Sequence, residues 1–185
     1  LLFVLIGCQA NPVFETEKRI VRQEAVHSDN IAINRKGDTL YTANIDVNTV
    51  TIIDAKTRKK KAEISVGKEP RQLTLSPDEQ FLYVSCMHDD RVDIISLKEK
   101  KVVDHIKTGI EPFGLVTSQD GKTLYVANYR SGTVSVVDLE KRKVRKEIRV
   151  GDRPRTVAIA ADGKKLYVPH LLTNIDTPIQ FEETV

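Results

Sequence analysis

The sequence predicts an all-β chain, folded as a β-propeller of four-stranded antiparallel blades with a 42-residue period. Three marker series predict it. Tyr41, Tyr83, Tyr125 and Tyr167 are spaced by 42 residues, and so are Gly67, Gly109 and Gly151, and Pro70, Pro112 and Pro154. Nothing is inserted or deleted between these markers. The second observation is composition: Val, Ile, Thr and Leu are frequent and there is no Trp. Such residues favour strands, and helix-period stretches are hard to find.

Each unit reads as four short strands. In the third unit Gly114 to Thr117 is the first, and Gln119-Asp120-Gly121-Lys122 is a hairpin turn. Leu124 to Ala127 is the second strand, Asn128 to Gly132 a loop, and Thr133 to Asp138 the third strand. A basic turn at Lys141 to Lys143 leads to the fourth, Val144 to Val150. The second strand is apolar on both sides: Leu124 and Val126 point one way, Tyr125 and Ala127 the other. A strand buried on both faces belongs inside a stack of sheets. The repeats run near 30–69, 70–111 and 112–153, with an incomplete unit at 154–185, so the chain is read as an open fragment of about three and a half blades. The fourth unit departs from the pattern. Pro169 interrupts its second strand and no third strand appears at the expected place, which implies a loop insertion or an exit from the repeat. Upstream, Arg19 to Glu24 aligns with the outermost strand of a blade whose other strands are absent.

The front of the chain differs. Residues 1–7 are apolar and too short to span a bilayer, and read as the end of a signal peptide. Residues 8–18 read as a polar tether, and 19–185 as the partial propeller. Only two cysteines occur, Cys8 and Cys86, so no disulfide framework or cysteine-rich zinc site is expected. With 29 basic and 26 acidic residues among 185, the net charge of +3 does not by itself imply nucleic acid.

Two resemblances follow from these residues. Tyr41-Thr42-Ala43-Asn44, Tyr83-Val84-Ser85-Cys86 and Tyr125-Val126-Ala127-Asn128 resemble the repeat of the YVTN family of β-propellers. The Val-rich third strands and the Gly-x-x-Pro linkers fit it as well. WD40 repeats fit less well, because no Trp-Asp closes the third strand. Leu5-Ile6-Gly7-Cys8 resembles the lipobox of bacterial lipoproteins, which implies lipid attachment at Cys8 and a cell-envelope location.

Strand order puts the first-to-second and third-to-fourth turns on one end of the propeller. That end carries a cationic arc: Lys56 to Lys61, Lys98 to Lys101 and Lys141 to Lys143. The other end gathers the second-to-third loops and the linkers around the channel mouth. There the candidate binding residues are Arg71, His88, Phe113, Arg130 and Arg155. Forked guanidinium donors suit carboxylate or phosphate, and ordinary salt bridging with Glu69, Glu111 and Asp152 is the competing account. No catalytic or metal-ligating set is expected: the four histidines lack ligand spacing, and no haem-attachment, P-loop or hydrolase motif occurs.

The leading expectation is a lipid-anchored envelope protein whose propeller binds or scaffolds a macromolecule or a small anionic ligand at the channel mouth, with no nucleic acid partner. The first alternative is the propeller part of an electron-transfer protein associated with dihaem cytochrome peroxidase-like domains, with haem expected only downstream of Val185. A propeller hydrolase or lactonase is the second alternative.

Overall fold

The computed structural model describes residues 28–170 and 181–182. Among these residues the chain is strands and turns, apart from one three-residue 3-10 turn, Met87–Asp89. The first blade is β1 (Ser28–Ile33), β2 (Thr39–Asn44), β3 (Thr49–Asp54) and β4 (Lys60–Ser65). The second is β5 (Pro70–Leu75), β6 (Phe81–Cys86), β7 (Arg91–Ser96) and β8 (Lys101–Lys107). The third is β9 (Pro112–Thr117), β10 (Thr123–Asn128), β11 (Thr133–Asp138) and β12 (Lys143–Arg149). A fourth, partial blade contains β13 (Ala158–Ile159), β14 (Lys165–Tyr167) and β15 (Phe181–Glu182). Every blade is an antiparallel meander with its strands paired in chain order. The fold is therefore a partial β-propeller, as the period requires.

The register repeats as well as the strands. Ladder irregularities recur between β3 and β4 at Ile52/Ile53, between β7 and β8 at Ile94/Ile95, and between β11 and β12 at Val136/Val137. Left-handed residues recur in the second-to-third loops: Asn48 (φ 54°), Asp90 (φ 51°) and Gly132 (φ 67°). Asn48 and Asp90 use the bend to cap the next linker. The Asn48 Oδ1 accepts from the Glu69 N–H at 2.8 Å, and the Asp90 Oδ1 from the Glu111 N–H at 2.8 Å. Gly132 instead packs so close to the linker that a Cβ would lie 2.7 Å from the Gly151 carbonyl oxygen.

The core lies between blades, and each second strand serves two of its layers. Tyr41 and Ala43 of β2 pack with Leu82 and Val84 of β6. Tyr83 of β6 packs with Leu124 and Val126 of β10, and Tyr125 and Ala127 of β10 pack with Leu166 of β14. Leu82 and Leu124 are fully buried. Burying a side chain of this size contributes about 1.5–3 kcal/mol, so the blades hold together mainly through these layers.

The fourth blade resolves the irregularity read in the sequence as an insertion. The β10–β11 pair Leu124↔Val137 predicts a partner for Leu166 at Ile179. The partner found is Phe181, two residues later. A third strand is thus present, shorter and displaced. Pro169 follows β14 rather than interrupting it, because a residue lacking an N–H cannot extend the ladder. Cys8, the tether and the Arg19–Glu24 segment lie outside the described residues.

Candidate functional site

The starts of the inner strands converge on a cleft at the linker end of the propeller. Its volume is about 390 Å³, and Arg71, Gln72, Phe113, Arg155, Thr156 and His170 are among its lining residues. The repeat explains the convergence. Positions 71, 113 and 155 each follow a linker Pro, so the same backbone geometry delivers each side chain to the channel mouth. The backbone is pinned there: the buried Ser85 hydroxyl donates to the Phe113 carbonyl at 2.6 Å, and Gln72 Oε1 accepts from the Leu115 N–H at 3.2 Å. At the neighbouring position only glycine fits, because a Cβ on Gly114 would lie 2.4 Å from the Thr156 Cα.

Three of the five residues read from sequence form one stack. The Arg71 guanidinium lies 5.5 Å from the Phe113 ring centroid and that of Arg155 lies 5.0 Å away. Tyr129 tilts against the same ring at 6.3 Å. Each cation is attracted to the ring quadrupole, and the ring keeps two like charges close together. Glu69 compensates one of them through an ion pair with Arg71. Arg155 is exposed and has no carboxylate within ion-pair distance among the described residues. The cleft therefore keeps a surplus positive charge with forked donors.

The other two residues are placed differently. His88 Nδ1 sits 2.7 Å from Glu69 Oε2, so it reaches the stack only through the carboxylate it shares with Arg71. Arg130 is exposed and pairs with Glu111 at 3.3 Å, outside the cleft lining. These two contacts are the salt bridging that the sequence offered as the competing account. His170, which the sequence places on this face outside the five candidates, also lines the cleft. It occupies the position of Asn44, Cys86 and Asn128, one period further on. It donates its Nδ1–H to the Asp152 carbonyl at 2.8 Å, and its Nε2 is buried with no hydrogen-bond partner among the described residues. The 42-residue period places it there.

Among the described residues no group of three or more His, Cys, Asp and Glu is arranged to hold a metal ion. A haem would need a nitrogen donor for its iron and cations for its carboxylates. His170 Nε2 meets the first, its other nitrogen fixed by a backbone carbonyl as metal-binding imidazoles are. Arg71 and Arg155 meet the second. The donor set fits.

These features define a class: a propeller with an arginine-lined cleft at its channel mouth. The chain belongs to the cytochrome D1 haem domain family, whose model matches residues 44–148. The solved structure of Kuenenia stuttgartiensis hydrazine synthase is similar at 28% identity and a TM-score of 0.76. The match covers 89% of this chain and 47% of that one, so the chain spans about half the length of its structural relative. Comparison with curated proteins gives no match. Two sequence expectations change. The family that matches is named for haem, whereas the repeat residues had pointed to YVTN propellers. Haem had been expected only downstream of Val185, whereas the family match lies within the propeller itself.

Proposed function

We propose that this chain is the propeller part of a haem-associated electron-transfer protein, and that its channel-mouth cleft binds a carboxylate-bearing haem. The observation that carries the reading is the Arg71–Phe113–Arg155 stack with His170 beside it, in a chain of a haem-domain family. When bound, the haem would supply one-electron transfer. The protein's own residues bind and orient. Arg71 and Arg155 would hold carboxylates through forked hydrogen bonds, Glu69 orients Arg71, and His170 would supply Nε2 to the iron. Phe113 and Tyr129 exclude water from the guanidinium groups, which strengthens their attraction for an anion.

Titrating the full chain with haem tests this by absorbance. A saturable Soret shift is expected, altered in position by His170→Ala and weakened by Arg71→Ala with Arg155→Ala. Lys59→Ala with Arg142→Ala, at the opposite end, should leave it unchanged. No Soret shift in a protein with unchanged circular dichroism would refute the reading.

A second reading keeps the cleft and changes the ligand. Both guanidinium groups already lie against Phe113, which favours a small anion or an acidic protein segment bridging them without a macrocycle. Isothermal titration with small dicarboxylates separates this from haem binding. Lipid attachment at Cys8 and a cell-envelope location remain proposals resting on Leu5-Ile6-Gly7-Cys8; mass spectrometry of the mature N-terminus tests them.

A further inference from the structure

The two ends of the propeller differ sharply in charge. At the turn end, opposite the cleft, the seven turns at 34–39, 54–61, 76–81, 96–101, 118–123, 138–143 and 160–165 carry sixteen Lys and Arg against nine Asp and Glu. That surplus of seven positive charges exceeds the +3 of the whole chain. Backbone hydrogen bonds put both turns of each blade on this end: Ala55 N–H to Asp38 O, Leu97 N–H to Gln80 O, and Leu139 N–H to Lys122 O, at 2.9, 3.0 and 2.9 Å. Contacts between blades hold the turns in order, with Arg142 on Asp104 at 2.8 Å and Arg35 on the Pro77 carbonyl at 3.0 Å.

Part of the charge is neutralised locally. Lys60, Lys61, Lys101, Lys141 and Arg142 are paired with Glu63, Asp54, Glu99, Asp138 and Asp104. Lys56, Arg58, Lys59, Lys98, Lys100 and Lys143 are exposed, and no ion-pair partner for them occurs among the described residues. In each of the three complete blades the tip residue in the left-handed region is a cation: Arg58 (φ 58°), Lys100 (φ 53°) and Arg142 (φ 53°). Glycine or asparagine would occupy those positions with less strain.

We propose that this end of the propeller docks on an anionic lipid bilayer surface, leaving the cleft open on the far side. The chemistry favours headgroups. The charges are spread over the tips of successive blades on flexible side chains, as a diffuse anionic plane requires. No aromatic residue stands among Lys56 to Lys61, Lys98 to Lys101 or Lys141 to Lys143, so base stacking has no platform. The proposal is independent of what occupies the cleft.

The test uses the full chain carrying C8S, so that no acyl chain contributes. Its sedimentation is measured with phosphatidylcholine vesicles containing about one-third phosphatidylglycerol, and with pure phosphatidylcholine vesicles. Binding is expected only to the anionic vesicles, falling about tenfold or more between roughly 0.05 M and 0.5 M salt as the charges are screened. The combined variant Lys56→Glu, Lys59→Glu, Lys98→Glu and Lys100→Glu should lose binding about tenfold or more with an unchanged melting temperature; Arg71→Ala with Arg155→Ala should retain it. Equal binding to neutral vesicles, or an unaffected tip variant, overturns the proposal. So does a gel shift of duplex DNA, lost in the tip variant, by a protein that ignores the vesicles; that result assigns the face to nucleic acid.

Discussion

Blades 2 and 3 share one backbone and bury different chemistry at one equivalent point. In blade 3 the point is neutral on the inner strands. Asn128 Nδ2 donates to Thr133 Oγ1 at 3.0 Å and to Ser135 Oγ at 2.8 Å. The Ser135 hydroxyl bonds Glu147 on the outer strand, and the linker Gly109 N–H reaches Ser135 Oγ at a long 3.4 Å. In blade 2 the same positions are Cys86, Arg91, Asp93 and His105. Here Asp93, 1% exposed, accepts the linker Gly67 N–H at 2.7 Å and the Arg91 Nε–H at 2.7 Å. Both solutions satisfy a linker N–H that the fold turns away from water. The repeat therefore constrains geometry and leaves the donor and acceptor chemistry free. The consequences of damage differ, because a buried charge is costly once its partners are lost.

The largest effects should fall where the blades are alike. Leu82→Asp and Leu124→Asp each put an unpaired charge into a fully buried layer between blades. Each should cost about 4 kcal/mol or more, seen as loss of the cooperative urea transition. An unchanged melting temperature for either would contradict the stacking of the blades. The next effect separates them. Asp93→Ala removes a buried carboxylate and strands the Gly67 N–H, and should cost about 3 kcal/mol. Ser135→Ala removes weaker contacts and should cost about 1 kcal/mol. Equal values from urea titration would mean that the charge adds nothing. Cys86 sharpens the contrast further. Burial raises its thiol well above the ordinary range, with Asp93 nearby adding to the effect. In C8S protein it should resist alkylation at about pH 8 until denaturant is added, as mass spectrometry can follow.

The same distinction sets what was legible in the sequence. Strands, turns and layers follow from a period that no insertion disturbs through three blades. Arg71, Phe113 and Arg155 could be assembled because each begins an inner strand after a Pro. Their stacking through one ring could not, since it depends on how three side chains lean. His88 and Arg130 share one register position, yet only His88 connects to the cleft, because its partner Glu69 also holds Arg71. β15 was hidden by a two-residue displacement in the fourth blade. The haem-domain relationship had no local motif to carry it: its candidate donors, His170, Arg71 and Arg155, come together only across blades.

The smallest effect concerns the third-to-fourth turns, where blade 2 is again the odd one. Blades 1 and 3 begin this turn with Asp54 and Asp138, and blade 2 with Ser96. Asp54 accepts the Thr57 N–H at 2.7 Å and lies 3.2 Å from Lys61. The Thr57 N–H bond is the main cause that lowers its pKa to about 2, with the Thr57 side chain and Lys61 adding to it. Asp138 is lowered chiefly by the Lys141 N–H bond, whereas the Ser96 hydroxyl caps the Glu99 N–H at 3.2 Å without a charge. A carboxyl group whose folded pKa lies below its unfolded value stabilises the fold above that unfolded value, about 3.9 for Asp. The contribution is lost as pH falls through the folded value. For Asp54 the window runs from about pH 4 to about pH 2. Asp54→Ser, which gives blade 1 the cap of blade 2, should therefore flatten the acid limb of stability by lowering the neutral-pH value toward the acid one. Ser96→Asp should steepen it. Urea midpoints measured at intervals between about pH 5 and pH 2 decide the matter. An acid limb that neither substitution moves would shift the acid sensitivity to the first-to-second turns, where Asp38, Asp78 and Asp120 are also held below the ordinary range by side-chain hydrogen bonds.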